Sequence, residues 1–95
     1  VTNLHTLIIP KRHVADYFDL TDAECTEIQT LLLKHKEIIE ITDKGVTGFN
    51  IGVNVGASAG QTVFHVHTHL IPRRDGDVEA PRGGVRGVIP SKQAY

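Results

Sequence analysis

The run His65-Val66-His67-Thr68-His69 places three of the chain's six histidines within five residues. On an extended strand, residues i, i+2 and i+4 share a face with about 6.5–7 Å between successive side-chain origins, so the run would line up three imidazoles. Val66 and Leu70 then go to the opposite face, where they can join a core with Phe64. Imidazole, with an unperturbed pKa of about 6.5, serves as nucleophile, acid or base near neutral pH. Three crowded rings resist charging together, which keeps a lone pair available. A neutral imidazole attacking phosphorus would form a phosphoramidate, while its neighbours hold the phosphate oxygens or carry a proton to the leaving group.

Three readings of the row compete. Ordinary hydrogen-bonded histidines are the usual case for one such residue, less so for three alternating on one face. Zinc is bound by two or three histidines at strand spacing in some proteins. Here the neighbours supply no carboxylate ligand, and Cys25 falls in a helical segment. Chemistry on a phosphate is favoured by Ser58, Gly60, Gln61 and Thr62 just upstream. Backbone N–H groups of a Gly-rich loop, together with hydroxyls, suit an anion.

The elements that must position the row follow from pattern. Residues 4–9 are β-branched and apolar and stop at Pro10, which predicts a strand. Thr21 as N-cap, Asp22 in the first turn and Glu24 as capping-box partner open a helix. Its apolar stripe, Ile28, Leu31, Leu32, His35, Ile38 and Ile39, carries it to about residue 41. His35 on that stripe is expected to serve the core or a dimer interface. Asp43-Lys44-Gly45 is a turn. Beyond Gly48 the period becomes two, with Phe49, Ile51, Val53 and Val55 against Asn50, Gly52, Asn54 and Gly56. That strand has one bulky apolar face and one small polar face with room for a ligand. Residues 56–60 read as a tight connection to a second strand over 61–71, ended by Pro72, so the pair is expected to form an antiparallel hairpin. Residues 73–95 are Arg-, Gly- and Pro-rich and are expected to be irregular.

Composition bounds the partners. Ten Lys and Arg against eleven Asp and Glu give a net charge of −1, which excludes the electrostatic footprint of a general nucleic-acid binder. No apolar run approaches the roughly 20 residues of a membrane span. The single cysteine makes no internal disulfide, so a cytoplasmic home is expected. A chain of 95 residues makes a single domain and buries only about 60–65% of its unfolded surface. A homodimer would supplement such a core.

At this point the residues resemble a known family. His65-Val66-His67-Thr68-His69-Leu70-Ile71 is similar to the signature of the histidine triad (HIT) superfamily of nucleotide hydrolases and transferases, in which histidines alternate with apolar residues. Gln61 before the triad and Pro72-Arg73 after it resemble the branch containing dinucleoside polyphosphate hydrolases and their bacterial relatives. His5-Thr6-Leu7-Ile8-Ile9-Pro10-Lys11-Arg12-His13 resembles the strand preceding the family's helix, and residues 49–60 its strand and loop before the triad. A match over nearly the whole chain is far more specific than the triad alone.

The resemblance implies an α+β fold: an antiparallel sheet of about four or five strands with one main helix on a face, paired into a homodimer. It implies that His67 is the nucleophile nucleotidylated on the α-phosphate, that His69 binds that phosphate, and that His65 supports His67. Asn54 would contact the substrate near the ribose and α-phosphate, and Gly60, Gln61 and Thr62 would face the phosphate and leaving group. His13 and His5 match supporting histidines. No cofactor and no protein-held metal are implied, and a divalent metal would enter with the substrate. The expected activity is hydrolysis of dinucleoside polyphosphates through a nucleotidyl-histidine. Phosphoramidates or other adenylates are the alternative substrates, and a non-catalytic nucleotide- or zinc-binding module is the rival function.

Three departures stand out. Thr68 replaces an apolar residue, with its side chain directed away from the row. Leu4 stands where relatives often have Gly. The family's first strands precede the point corresponding to Val1, so the resemblance implies a domain lacking its N-terminal strands. Arg73, Arg74, Arg82 and Arg86 in the tail are candidates for bidentate phosphate contacts.

Overall fold

The computed structural model describes residues 1–95. Its helix begins where the capping signal predicts. The Glu24 N–H donates to the Thr21 hydroxyl at 3.1 Å, and the Thr21 N–H donates to the Glu24 carboxylate at 2.9 Å. Helix α1 then spans Asp22–Thr42. Arg12 donates to Glu24 at 2.8 Å, which ties the incoming loop to the helix start. Its guanidinium, with the Thr21 N–H, holds the Glu24 carboxyl down at about 2. At the other end, Asp43 accepts the Gly45 N–H at 2.8 Å and Arg74 at 2.9 Å, and the chain turns directly into a strand.

Three strands form the sheet: β1 (Thr6–Ile8), β2 (Val46–Gly52) and β3 (Thr68–Arg74), in the order β1-β3-β2, all antiparallel. The α+β class holds, with three strands in place of the expected four or five. The three strands read from the pattern all form, but residues 61–67, expected to belong to the last of them, stay outside its ladder. They bond singly to the segment after β1 instead: the Val66 N–H donates to the Val14 carbonyl at 2.7 Å, and the Gln61 amide to that of Ala15 at 2.8 Å. β2 and β3 pair as expected, but a long loop replaces the tight hairpin. Its turn at Ala57–Ala59 sits between Gly56 and Gly60, whose φ values of 87° and 95° suit glycine.

Two other boundaries move for physical reasons. β1 starts at Thr6 rather than at residue 4, because Leu4 adopts φ 69°, the left-handed region. A side chain there costs about 1 kcal/mol, offset by the packing of Leu4 against the core. β3 continues through Pro72 to Arg74 instead of stopping at the proline. The Thr2 hydroxyl donates to the Pro72 carbonyl at 3.1 Å, so the proline's backbone edge faces the turn before β1, and its missing N–H breaks no ladder bond.

Helix α1 crosses one face of this sheet. Ile39, Val46 and Leu70 form the centre of the core, with Leu4, Leu32 and Phe49 packed against it. Ile28 is also buried and His35 is half-buried, whereas Leu31 and Ile38 lie on an exposed shoulder. A three-stranded sheet is too narrow to cover the full predicted stripe. Leu70 is 1% exposed at the middle of the central strand. Replacing it with alanine is expected to cost about 3 kcal/mol, read as a lowered urea midpoint at unchanged slope.

Candidate active site

Burial alternates along the central strand and the segment leading into it. Val66, Thr68, Leu70 and Pro72 are buried toward the helix, while His65, His67, His69 and Ile71 are half-buried on the open face. Only His69 lies within the strand; His65 and His67 precede it, and the alternation of burial leaves all three half-buried on the open face. The Thr68 hydroxyl is buried on the helix side without a hydrogen-bond partner, directed away from the row as its position implies.

The rings are arranged in two groups. His67 and His69 have centroids 5.1 Å apart and meet edge to face. His5, just before β1, stacks on His69 at 5.1 Å, and its Nε2 lies 2.9 Å from His69 Nδ1. His13 packs 5.1 Å from His65. The two supporting histidines thus flank opposite ends of the triad.

Backbone carbonyls orient two of the rings. The His67 Nδ1 lies 2.9 Å from the His65 carbonyl oxygen, and the His65 Nε2 lies 2.9 Å from that of Pro10. A carbonyl only accepts, so in neutral His67 the proton sits on Nδ1 and Nε2 keeps its lone pair. His65 therefore orients His67 through its backbone, while its own ring anchors the loop after β1. Burial lowers the pKa of His69 below the ordinary 6.5, helped by repulsion from protonated His5 and His67. His5 is likewise lowered, chiefly by burial.

Gly52 lies directly across from His69 in the sheet and opens a cavity of about 430 Å³. Asn54 and Asn50 line it, with His5 and His69. Leu7, Ile9 and Val63 border a smaller recess of about 160 Å³ beside His65 and His67. Gly60 and Thr62 lie exposed on the loop leading to the triad. Gln61, expected to face the phosphate, is 5% exposed and fully occupied by backbone. Its oxygen accepts the Gly56 N–H at 2.8 Å, and its nitrogen donates to the carbonyls of Ala15 and Val63. It acts as the loop's internal brace.

The tail arginines are also engaged. Arg73 pairs with Asp77 and Arg74 with Asp43, while Arg86 donates to the carbonyls of Lys92 and Gln93. Arg82 and Arg86 both stack over the Tyr95 ring. These partners hold the four guanidinium groups. The tail is more ordered than expected, with short 3-10 turns at Gly84–Val88 and Pro90–Lys92. Sequence reasoning assigned no role to Asn50, although the alternation put it on the small polar face. It also gave no role at the site to the Gly84–Val88 turn, which lines the same cavity.

An antiparallel sheet backed by one helix and carrying clustered histidines on its open face defines a histidine-site α+β domain. Residues 1–76 match the HIT domain, and the chain belongs to the HIT family. It is 44% identical over 73 residues to the asymmetrical bis(5'-nucleosyl)-tetraphosphatase of Schizosaccharomyces pombe, covering 77% of this chain and 40% of that enzyme. It is 38% identical over 74 residues to an AP-4-A phosphorylase of Mycobacterium tuberculosis, covering 77% of this chain and 37% of the other. A zinc-bound histidine triad family protein from Mycobacterium smegmatis superposes with a TM-score of 0.74 at 35% identity, over 83% of this chain and 57% of that one. The chain thus spans less than half the length of those two enzymes. No three of its His, Cys, Asp or Glu side chains are grouped so as to hold a metal ion together.

Burying neutral imidazole makes stability depend on pH. Unfolded His69 takes up a proton near 6.5, and folded His69 only at lower pH. The unfolded state therefore holds more protons in that interval, and stability rises with pH across it. Urea midpoints are expected to fall as pH drops below 6.5, with a shallower fall in His69→Asn.

Proposed function

We propose that the chain acts on the α-phosphate of nucleotides through a covalent nucleotidyl-histidine, with dinucleoside polyphosphates as its substrates. The observation that carries this reading is the orientation of His67. Its Nδ1 is committed to the His65 carbonyl, and the ring stands 5.1 Å from a second imidazole. In the first displacement, the Nε2 lone pair of His67 attacks the α-phosphorus. The bond to the leaving nucleotide breaks, and that oxygen takes the electron pair and departs as a phosphate anion that draws its proton from solvent. Water then attacks the same phosphorus, the P–N bond breaks, and nucleoside monophosphate leaves with His67 restored. The charge that builds on the phosphoryl oxygens calls for fixed donors. His69 supplies one, held in place by His5; Asn54 and the Gly60–Thr62 loop supply others. Gln61 serves this site by bracing the loop.

Resemblance to a tetraphosphatase and to an AP-4-A phosphorylase supports the substrate class. No cofactor takes part in these steps, and a divalent cation accompanies the polyphosphate rather than being held by the chain. The exposed Leu33 and Ile41 of α1 support pairing of two copies. No helix is long and apolar enough to cross a membrane, and the one cysteine is free, in keeping with a cytoplasmic setting.

Brief incubation with diadenosine tetraphosphate, acid-free quenching and intact mass spectrometry test the reading. An added adenylyl mass on the unaltered chain is expected, mapping to His67 and absent from His67→Ala along with turnover. His69→Ala is expected to lower kcat by about a hundredfold or more. Full turnover by His67→Ala would refute the assignment. A mass gained with phosphoramidates alone would shift the substrate class.

A further inference from the structure

We infer that Arg12 is a positioning residue for the histidine row: its ion pair with Glu24 fixes the loop whose carbonyls hold the row in place. The kinetic consequence rests on the nucleotidyl-histidine reading above, and the structural one on geometry alone. Residues 9–16, between β1 and the 3-10 turn at Tyr17–Asp19, form neither helix nor strand. Three of their carbonyls nonetheless receive the segment that leads into β3. The Gln61 amide donates to Ala15 at 2.8 Å, the Val66 N–H donates to Val14 at 2.7 Å, and the His65 Nε2 lies 2.9 Å from the Pro10 oxygen. His65 in turn offers its own carbonyl to the His67 Nδ1 at 2.9 Å. The place of the loop therefore decides the place of the His65 ring and of the backbone that orients His67.

Little else holds that loop. The Val66–Val14 bond is the one backbone–backbone hydrogen bond that residues 10–15 make. The buried Val14 side chain anchors one end, and Arg12 anchors the middle. Arg12 Nη2 donates to Glu24 Oε1 at 2.8 Å and Nε donates to Oε2 at 3.2 Å, a two-pronged grip on the carboxylate. The same Nη2 donates to the Asp19 carbonyl at 3.0 Å. Glu24 is itself fixed, because it sits in the first turn of α1 and accepts the Thr21 N–H. The pair thus refers the loop, and through it the row, to the helix. Neither Arg12 nor Glu24 borders the cavity beside His69 or the recess beside His65 and His67, so their effect on the site runs through the loop. The Arg12 side chain is 52% exposed, and a surface pair of this kind adds little to global stability. Displacing a reacting group by about 1 Å, in contrast, costs up to about a hundredfold in rate. Loss of Arg12 therefore shows in position before it shows in stability.

Three variants of the full chain separate positioning from stability. Arg12→Met removes the tether and keeps an apolar stem, Arg12→Lys keeps a charged contact, and Thr21→Ala removes the helix-cap hydroxyl while leaving the tether intact. Long-range 15N–1H spectra of histidine-labelled protein read each ring, urea midpoints read stability, and initial rates on diadenosine tetraphosphate read kcat and KM. In the unaltered chain, neutral His65 is expected to carry its proton on Nε2, the nitrogen facing Pro10. Arg12→Met is expected to mix the two His65 tautomers and to lower kcat about tenfold at unchanged KM, with Arg12→Lys restoring most of both. Thr21→Ala is expected to lower the urea midpoint more than Arg12→Met does, with ring spectra and kcat unchanged. A His65 spectrum or a kcat unmoved by Arg12→Met, or rings moved equally by Thr21→Ala, would overturn the inference. So would loss of folding in Arg12→Met, which would make the pair structural. Absence of turnover in the unaltered chain would instead count against the nucleotide reading, and the ring spectra would still decide the role of Arg12.

Discussion

The antiparallel clamp on the central strand is the constraint from which the site follows. β1 and β2 bond to opposite edges of β3, so the strand cannot rotate, and each of its residues is assigned to the helix face or to the open face. A slip of one residue would exchange Leu70 for His69 in the core. The cost of burying imidazole against Ile39 and Val46 makes that register the only stable one. The histidine row is thus the reverse side of the hydrophobic core, and the same alternation serves stability and chemistry.

Within that frame, hydrogen bonds divide the histidines by role. The rings of His65 and His67 are each bound to a carbonyl, which selects their tautomers, while His69 is bound to another ring. Burial that keeps His69 and His5 neutral disfavours a cluster of positive charge that would otherwise push the rings apart. The arrangement costs stability in acid and supplies bare ring nitrogens at neutral pH. Gln61 and Arg73 work outside the row, one closing the loop before it and the other fixing Asn50 beside it.

Much of this was legible in the sequence, and the exceptions have causes. The capping box at Thr21 and Glu24 depends on residues three apart and forms as read. The burial alternation through His65–Pro72 is equally local and holds even where no ladder exists. Strand ends were misjudged because they depend on partners distant in sequence: Pro72 is tolerated only because its edge faces the Thr2 turn. Gln61 was read as a substrate contact because a polar side chain in a Gly-rich loop looks available. Its burial depends on Ala15, far away in the chain. The arginine-rich tail reads as four free charges, whereas Asp43, Asp77 and Tyr95, which sequence pattern does not pair with them, meet them in the fold. Leu4 belongs to the strand by its apolar pattern, but its left-handed backbone moves the strand's start to Thr6.

The central claim is that the strand frame presents His67 with a bare Nε2. Long-range 15N–1H correlation spectra of histidine-labelled protein read the tautomer of each ring directly. At a pH where His67 is neutral, the account predicts a proton on Nδ1 and an unprotonated Nε2. A neutral His67 carrying its proton on Nε2 would contradict it, because the nitrogen left free by the His65 carbonyl would then have no lone pair to give.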